Sequence, residues 1–251
     1  MSHVYNADFY DYINPGSRLS AQAVLPLVRS AVAVDSVLDV GAGQGAWLAE
    51  WLAQGARDGM AVDGDYAGET RLLVDKSRFV SHDLTTPLDL GRRFDLVQSL
   101  EVAEHIPAEH AECFVDTLVR HGDVVLFSAA VPHQGGEHHV NEQAPEYWRR
   151  KFARRGYAAF DWLRPQLRQR SEIAPWYRFN TILYASEAGA ERLSAEARTA
   201  RVADDQALPI GGDLRWALRR GAVSVMPRGV VDWIAAANAM RKARAARSNA
   251  A

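Results

Sequence analysis

Val37-Leu-Asp-Val-Gly-Ala-Gly-Gln-Gly45 holds the end of a short apolar strand, Ser36 to Val40, that runs straight into three glycines. The stretch Trp47 to Ala53 reads as helix, and Gly55 ends it. Strand, glycine turn and helix in this order bend the chain tightly. They also bring backbone against a ligand at points where a β-carbon would collide. A dinucleotide fingerprint reads GxGxxG, and here the third glycine comes one position too early for it. The loop therefore suits a pyrophosphate less well than a ligand with a carboxylate and an amine.

On either side of this loop, short apolar runs alternate with helical stretches. Asp58 to Asp63, Phe79 to His82, Phe94 to Gln98 and Val124 to Ala129 read as further strands. Ser20 to Arg29 and Ala108 to Val119 read as helices, with Pro26 expected to bend or shorten the first. The alternation predicts a mostly parallel α/β sheet with helices on both faces. Tyr157 to Leu163 and Phe179 to Tyr184 are expected as late strands, joined by an exposed arginine-rich connection at 164–178. From Glu187 onward alanine and arginine increase and strand patterns stop. Helices are expected at 190–206, Leu214 to Arg220 and Val230 to Ala246. Three parts result: an aromatic arm or lid at 1–19, the sheet domain at 20–187, and a C-terminal helical extension at 188–251.

Two further acids extend the pattern. Asp63 ends the second strand, where a carboxylate reaches both hydroxyls of a ribose, and Asp83 follows the third strand in FVSHD. Each alone also fits a strand-end cap. Their ordered placement after successive strands points to a ligand at the carboxyl ends of the sheet.

VLDVGAGQG, AVDGD, SHD and FDLVQSLEVAEHI resemble, in order, the cofactor-binding segments of class I S-adenosylmethionine-dependent methyltransferases. The resemblance covers residues 35–130 and extends to about 185 by strand order. It implies a Rossmann-like, seven-stranded sheet ending in an antiparallel hairpin, and transfer of a methyl group from a sulfonium. It places Asp39, Gly41, Gly43 and Gly45 at the methionine end of S-adenosyl-L-methionine. Asp63 would hold the ribose, His82 and Asp83 would flank the adenine, and Leu100 and Glu101 would lie beside the methionine. Gly64 departs from the apolar residue common after the ribose acid, which implies a looser wall there.

Acceptor chemistry is expected just beyond. Glu101, Glu104 and His105 follow the fourth strand, and an ordinary histidine pKa near 6.5 suits proton removal. His105 equally fits a role in orienting the loop. After the fifth strand, Val131 to Glu142 carries His133, Glu137, His138 and His139 among glycines. A proton acceptor, a divalent ion or loop-stabilising hydrogen bonds all suit this composition. The spacing matches no strong zinc pattern, so no metal is expected, and His105, His133 and His138 are the candidate bases. Tyr5, Tyr10 and Tyr12 fit a lid over the site or an arm packed on the sheet.

The chain has 251 residues, 48% hydrophobic and 24% charged, enough for a sizeable core without staples. Cys113 is the only cysteine, which excludes an intrachain disulfide and a CxxC metal site. A net charge of −2 gives no global pull toward nucleic acid, although RRKFARR at 149–155 and the tail RKARAAR are basic. No signal-peptide pattern and no apolar run of membrane-spanning length occurs, so a cytoplasmic protein without membrane partners is expected. The expected reaction is methylation of a small molecule at oxygen, with the extension a candidate homodimer surface. Methylation at nitrogen or carbon, nucleic-acid methylation and a noncatalytic binding protein are the alternatives.

Overall fold

The computed structural model describes residues 7–227, 229–231, 234 and 237, with side chains from Asn14 onward. Helix α1 (Ala7–Ala31) is much longer than the apolar spacing alone predicts, because the expected arm joins it without a break. Pro15 and Pro26 both lie inside it. Ala21, Val24, Leu25, Val28 and Ala31 form its buried stripe, so packing outweighs the hydrogen bond each proline forfeits. Tyr5 lies outside the described residues, as do the side chains of Tyr10 and Tyr12.

The alternation then unfolds as expected: β1 (Ser36–Val40), α2 (Ala46–Ala53), β2 (Asp58–Asp63), α3 (Asp65–Gly68), β3 (Phe79–Ser81), β4 (Leu96–Leu100), α4 (Ala111–His121) and β5 (Val124–Ser128). The second half adds α5 (Pro145–Ala153), β6 (Ala158–Phe160), α6 (Leu163–Leu167), α7 (Pro175–Asn180) and β7 (Ile182–Ala185). It ends with α8 (Glu187–Glu191), α9 (Ala195–Thr199) and α10 (Leu214–Ser224). The seven strands form one sheet in the order β3-β2-β1-β4-β5-β7-β6. β1 to β5 run parallel, and β7 inserts antiparallel between β5 and β6. This is the Rossmann-like architecture with additional C-terminal helices. Strand alternation divides the core: Val37, Leu96, Val124 and Leu126 pack toward α1 and α2, whereas Leu38, Val40, Val97, Val125 and Phe127 pack toward α4 and α5.

Several boundaries differ from the sequence expectation. β4 begins at Leu96, because the Asp95 carboxylate turns back to accept from the backbone N–H groups of Asp35 and Ser36. The 164–178 stretch is not an exposed connection. It forms α6 and α7, with Leu163, Leu167, Ile173 and Tyr177 buried and Arg164 held by Asp161. Phe179 and Asn180 end α7, so β7 starts only at Ile182. Residues 190–206 are helical only in part, because Val202 donates to the Ala159 carbonyl at 2.8 Å and the chain runs along β6. The helix expected at Val230 to Ala246 falls mostly outside the described residues. Among the described residues no helix is long and apolar enough to cross a membrane.

Candidate functional site

The sheet changes winding direction between β1 and β4, and in open α/β sheets such a switch point places the ligand crevice outside the carboxyl ends of the strands. Gly41, Gly43 and Gly45 all adopt positive φ, at 81°, 55° and 84°. A β-carbon on Gly41 would lie 2.3 Å from the Val102 side chain, so the β1 loop and the β4 loop meet at a point only glycine permits. Gly45 caps α2, directing that helix's N-terminus at the loop.

Asp63 ties the second strand to this loop. Its carboxylate accepts from the Gly43 N–H at 2.6 Å, the Gly64 N–H at 2.7 Å and the Tyr66 hydroxyl at 2.5 Å. Burial raises its pKa against these hydrogen bonds. A β-carbon on Gly64 would strike the Tyr66 ring, so this glycine gives the aromatic room to lie over Asp63.

Asp39 sits beside Gln98 in register across β1 and β4. It is buried, and burial raises its pKa to about 7. Its Oδ2 is buried with no hydrogen-bond partner, an acceptor that a polar ligand group would satisfy. Between α1 and the loop lies a cleft of about 480 Å³ that Gln44 and Arg71 help to line. Asn14 donates to Gln44 across it at 2.6 Å. His82 and Asp83 stand at the outer edge. The Asp83 carboxylate is engaged by Thr85 N–H and hydroxyl, and His82 Nε2 lies 3.2 Å from the Thr86 carbonyl.

The opposite wall of the crevice is acidic and imidazole-rich. Leu100 is buried, and Glu101 leaves β4 at φ 58°. Gln134 Nε2 donates to Glu101 Oε2 at 2.6 Å, and Asn180 Nδ2 donates to Gln134 Oε1 at 2.8 Å. Burial raises the Glu101 pKa, and burial together with the Glu101 charge raises that of Glu104 further. Burial and then the neighbouring His139 push His105 down to about 4. Glu142 receives His139 Nδ1–H at 2.9 Å and the backbone N–H groups of His133 and Gly135. These outweigh its partial burial and lower its pKa.

Among the described residues the non-glycine positive-φ positions are Glu101, His133 and His138, all on this wall or its loop. Such conformations cost about 1–3 kcal/mol each, and they concentrate where function constrains the chain. The fold brings His105 inward beside His139, while the side chains of His133 and His138 are exposed. Gln134 and Asn180 had no role in the sequence reading, although both are buried at the wall. The signal for Asn180 was its position, one of two polar residues, with Thr181, between Phe179 and the apolar run of β7.

A family model described as "Methyltransferase domain" matches residues 10–167. No curated protein matches the sequence. Among solved structures, an O-methyltransferase family protein from Burkholderia thailandensis aligns with TM-score 0.51 and 14% identity, over 70% of this chain and 57% of that one. DesVI of Streptomyces venezuelae aligns with TM-score 0.40 and 21% identity, over 52% and 60%. Magnesium protoporphyrin IX methyltransferase from Synechocystis aligns with TM-score 0.45 and 16% identity, over 70% and 86%. The chain thus spans less than two thirds of the first two structures. At 14% identity, the Burkholderia alignment shows the shared fold alone. The family match runs from α1 through the glycine loop and both walls to α6, and on it the chain belongs to the methyltransferase-domain family.

Proposed function

We propose that this protein transfers a methyl group from S-adenosyl-L-methionine to an oxygen of a small-molecule acceptor. The observation that carries the reading is the closed link at the switch point. Gly43 N–H is bonded to Asp63, and the unpartnered Asp39 Oδ2 lies one strand away. When bound, S-adenosylmethionine supplies an electrophilic methyl group on a sulfonium.

Asp39 and the Gly41, Gly43 and Gly45 backbone would hold its methionine end. Asp63 would take the ribose hydroxyls, with the Tyr66 hydroxyl as the partner that gives way. His82 and Asp83 would border the adenine, and Leu100 and Glu101 would line the methionine from β4. The acceptor would approach along the 131–142 loop, where His105 faces inward and His133 and His138 are exposed. A wall of carboxylates and imidazoles receives a proton-bearing oxygen and helps remove its proton. Alignment of the two reactants supplies the greater part of the rate.

Calorimetry with S-adenosylmethionine, then transfer of radiolabelled methyl to a panel of phenols and sugar hydroxyls, tests this reading. Stoichiometric cofactor binding that Asp63→Ala abolishes, with label on an acceptor oxygen, is expected. No cofactor binding, or label found on nitrogen or carbon, would overturn it.

A further inference from the structure

We propose that Glu104, His105 and His139 form a divalent cation site of the two-histidine, one-carboxylate kind. This deepens the acceptor-site reading above and rests on it for function. The three side chains each offer a ligand atom, and these atoms lie within 4.8 Å of one another. Bonds of about 2.1 Å from a metal to nitrogen and oxygen put its ligands up to about 4.2 Å apart, so small side-chain rotations complete the site.

The surroundings are arranged as a metal site requires. His105 Nδ1 faces the His138 carbonyl at 3.3 Å, and His139 Nδ1 faces Glu142 Oε1 at 2.9 Å. A carbonyl and a carboxylate only accept, so both Nδ1 atoms carry the proton and both lone pairs fall on Nε2. A ligating histidine is commonly oriented in this way by a carboxylate or a carbonyl behind it. His139 Nε2 lies 4.0 Å from Glu104 Oε1, and the His105 and His139 rings meet edge to face at 4.9 Å.

Two features fix His139 there, one distant in sequence and one local. The Glu104 carbonyl accepts from both Val140 N–H and Asn141 N–H at 2.9 Å. Gly136 gives the ring its space, since a β-carbon on it would lie 2.2 Å from His139 Nε2. The independent sign of a missing ligand is Glu104 itself. Its side chain is 1% exposed, and its Oε2 is buried with no hydrogen-bond partner. A carboxyl so deep, with a buried oxygen that no described residue bonds, must be met by either a proton or a cation, and the two imidazoles beside it favour the cation.

Imidazole and carboxylate together suit Mn²⁺, Fe²⁺, Co²⁺ or Zn²⁺, and three protein ligands leave positions open for oxygen donors of the acceptor. With the cation present, the Nε2 lone pairs of His105 and His139 hold metal while each Nδ1 keeps its proton, and the bound acceptor hydroxyl becomes more acidic.

The test is cobalt chloride titrated into the full, tag-free chain after chelator dialysis. It is read by calorimetry and by the visible absorption of bound Co²⁺, with no cofactor or acceptor present. One Co²⁺ per chain is expected. Glu104→Gln and His139→Ala should each weaken binding at least tenfold, Glu142→Gln several-fold, and His110→Ala not at all. Circular dichroism checks folding, and Glu104→Gln keeps the volume of the buried side chain should His139→Ala unfold. Absence of binding, or unchanged affinity in folded Glu104→Gln, would overturn the site. That failure would leave methyl transfer standing, whereas loss of S-adenosylmethionine binding would remove methyl transfer and leave the cobalt result intact.

Discussion

The two walls of the crevice are built on different principles. The wall formed by β1 and β2 works through backbone. Its glycines, the Gly43 and Gly64 N–H groups and the caged Asp63 carboxylate come from 37–66, a span of chain that folds on itself through adjacent parallel strands. The wall formed by β4 and the 131–142 loop works through side chains. Glu101, Gln134 and Asn180 come from three separate segments and are held by amide hydrogen bonds. A backbone wall tolerates almost no added atom but many neighbouring side-chain changes. A side-chain wall tolerates backbone variation but fails when one partner of a buried pair is lost.

The sharpest way to break this contrast is Gly41→Ala. The substitution combines a left-handed backbone at φ 81° with a β-carbon 2.3 Å from Val102. Left-handed strain of about 1–2 kcal/mol and overpacking of about 1–3 kcal/mol give a loss of up to about 5 kcal/mol. Denaturant unfolding should show it, and calorimetry should show loss of cofactor binding. Gly55→Ala is the control. It has φ 96° with nothing within 4 Å, so only the backbone part of the loss should appear.

Asp39→Asn sharpens the contrast with the opposite sign. Burial raises the Asp39 pKa from 3.8 to about 7. The folded state therefore holds the proton more tightly than the unfolded chain. The stabilisation from this proton is complete below pH 3.8 and lost as pH rises to about 7. Asparagine is never charged, so the cofactor-free variant should be more stable than the parent above pH 7 and should match it near pH 4. The gain is bounded at about 4 kcal/mol by the size of the shift. Thermal unfolding at pH 8 and pH 4 measures it. The same variant should bind S-adenosylmethionine at least tenfold more weakly. An acid kept in a position that destabilises the free protein is kept for its ligand.

The two walls also differ in how far the sequence revealed them. β1 and β2 appear at the expected residues, because each is an apolar run bounded by acids and glycines whose turn chemistry is local. The same locality made Asp39, Gly41, Gly43, Gly45 and Asp63 legible as one constellation. The 164–178 stretch misled because arginine was read as exposure. Arg164 instead buries its stem and donates to Asp161 and to the Pro209 carbonyl, while the leucines beside it turn inward. On the other wall no periodicity separates His139 from His133 and His138, since the loop has no repeating geometry. What selects His139 is the bond from Val140 and Asn141 to the Glu104 carbonyl, and that pairing bridges more than thirty residues. The Gln134–Asn180 contact, 46 residues apart, was invisible for the same reason.

Gln134→Ala probes this second wall. It takes the amide away from the buried Glu101 carboxylate and leaves Asn180 without its 2.8 Å acceptor. Unsatisfied buried polar groups cost about 1–3 kcal/mol each, so stability should fall by that order. Cofactor affinity should change less than threefold, because the glycine wall makes no hydrogen bond through Gln134 and Asn180 still donates to Glu101 beside the proposed methionine site. Calorimetry beside denaturant unfolding separates the two effects. A large fall in cofactor affinity would show that the walls are not independent.

The smallest effect belongs to Tyr66→Phe, and it tests whether the backbone wall is as rigid as its glycines imply. Gly43 and Gly64 N–H groups fix the Asp63 carboxylate from the main chain, whereas the Tyr66 hydroxyl reaches it at 2.5 Å from a side chain that can rotate away. On the proposed reading, a ribose hydroxyl would compete with the tyrosine hydroxyl for Oδ1. A hydrogen bond to a charged group contributes about 1.5–3 kcal/mol, but the cofactor replaces one such bond with another, so the net change is a fraction of that. Phenylalanine removes the competitor without opening a cavity, and S-adenosylmethionine binding should tighten two- to fivefold in calorimetry. Weaker binding would mean that Tyr66 helps to hold the ribose. The Tyr66 hydroxyl would then belong to the bound state.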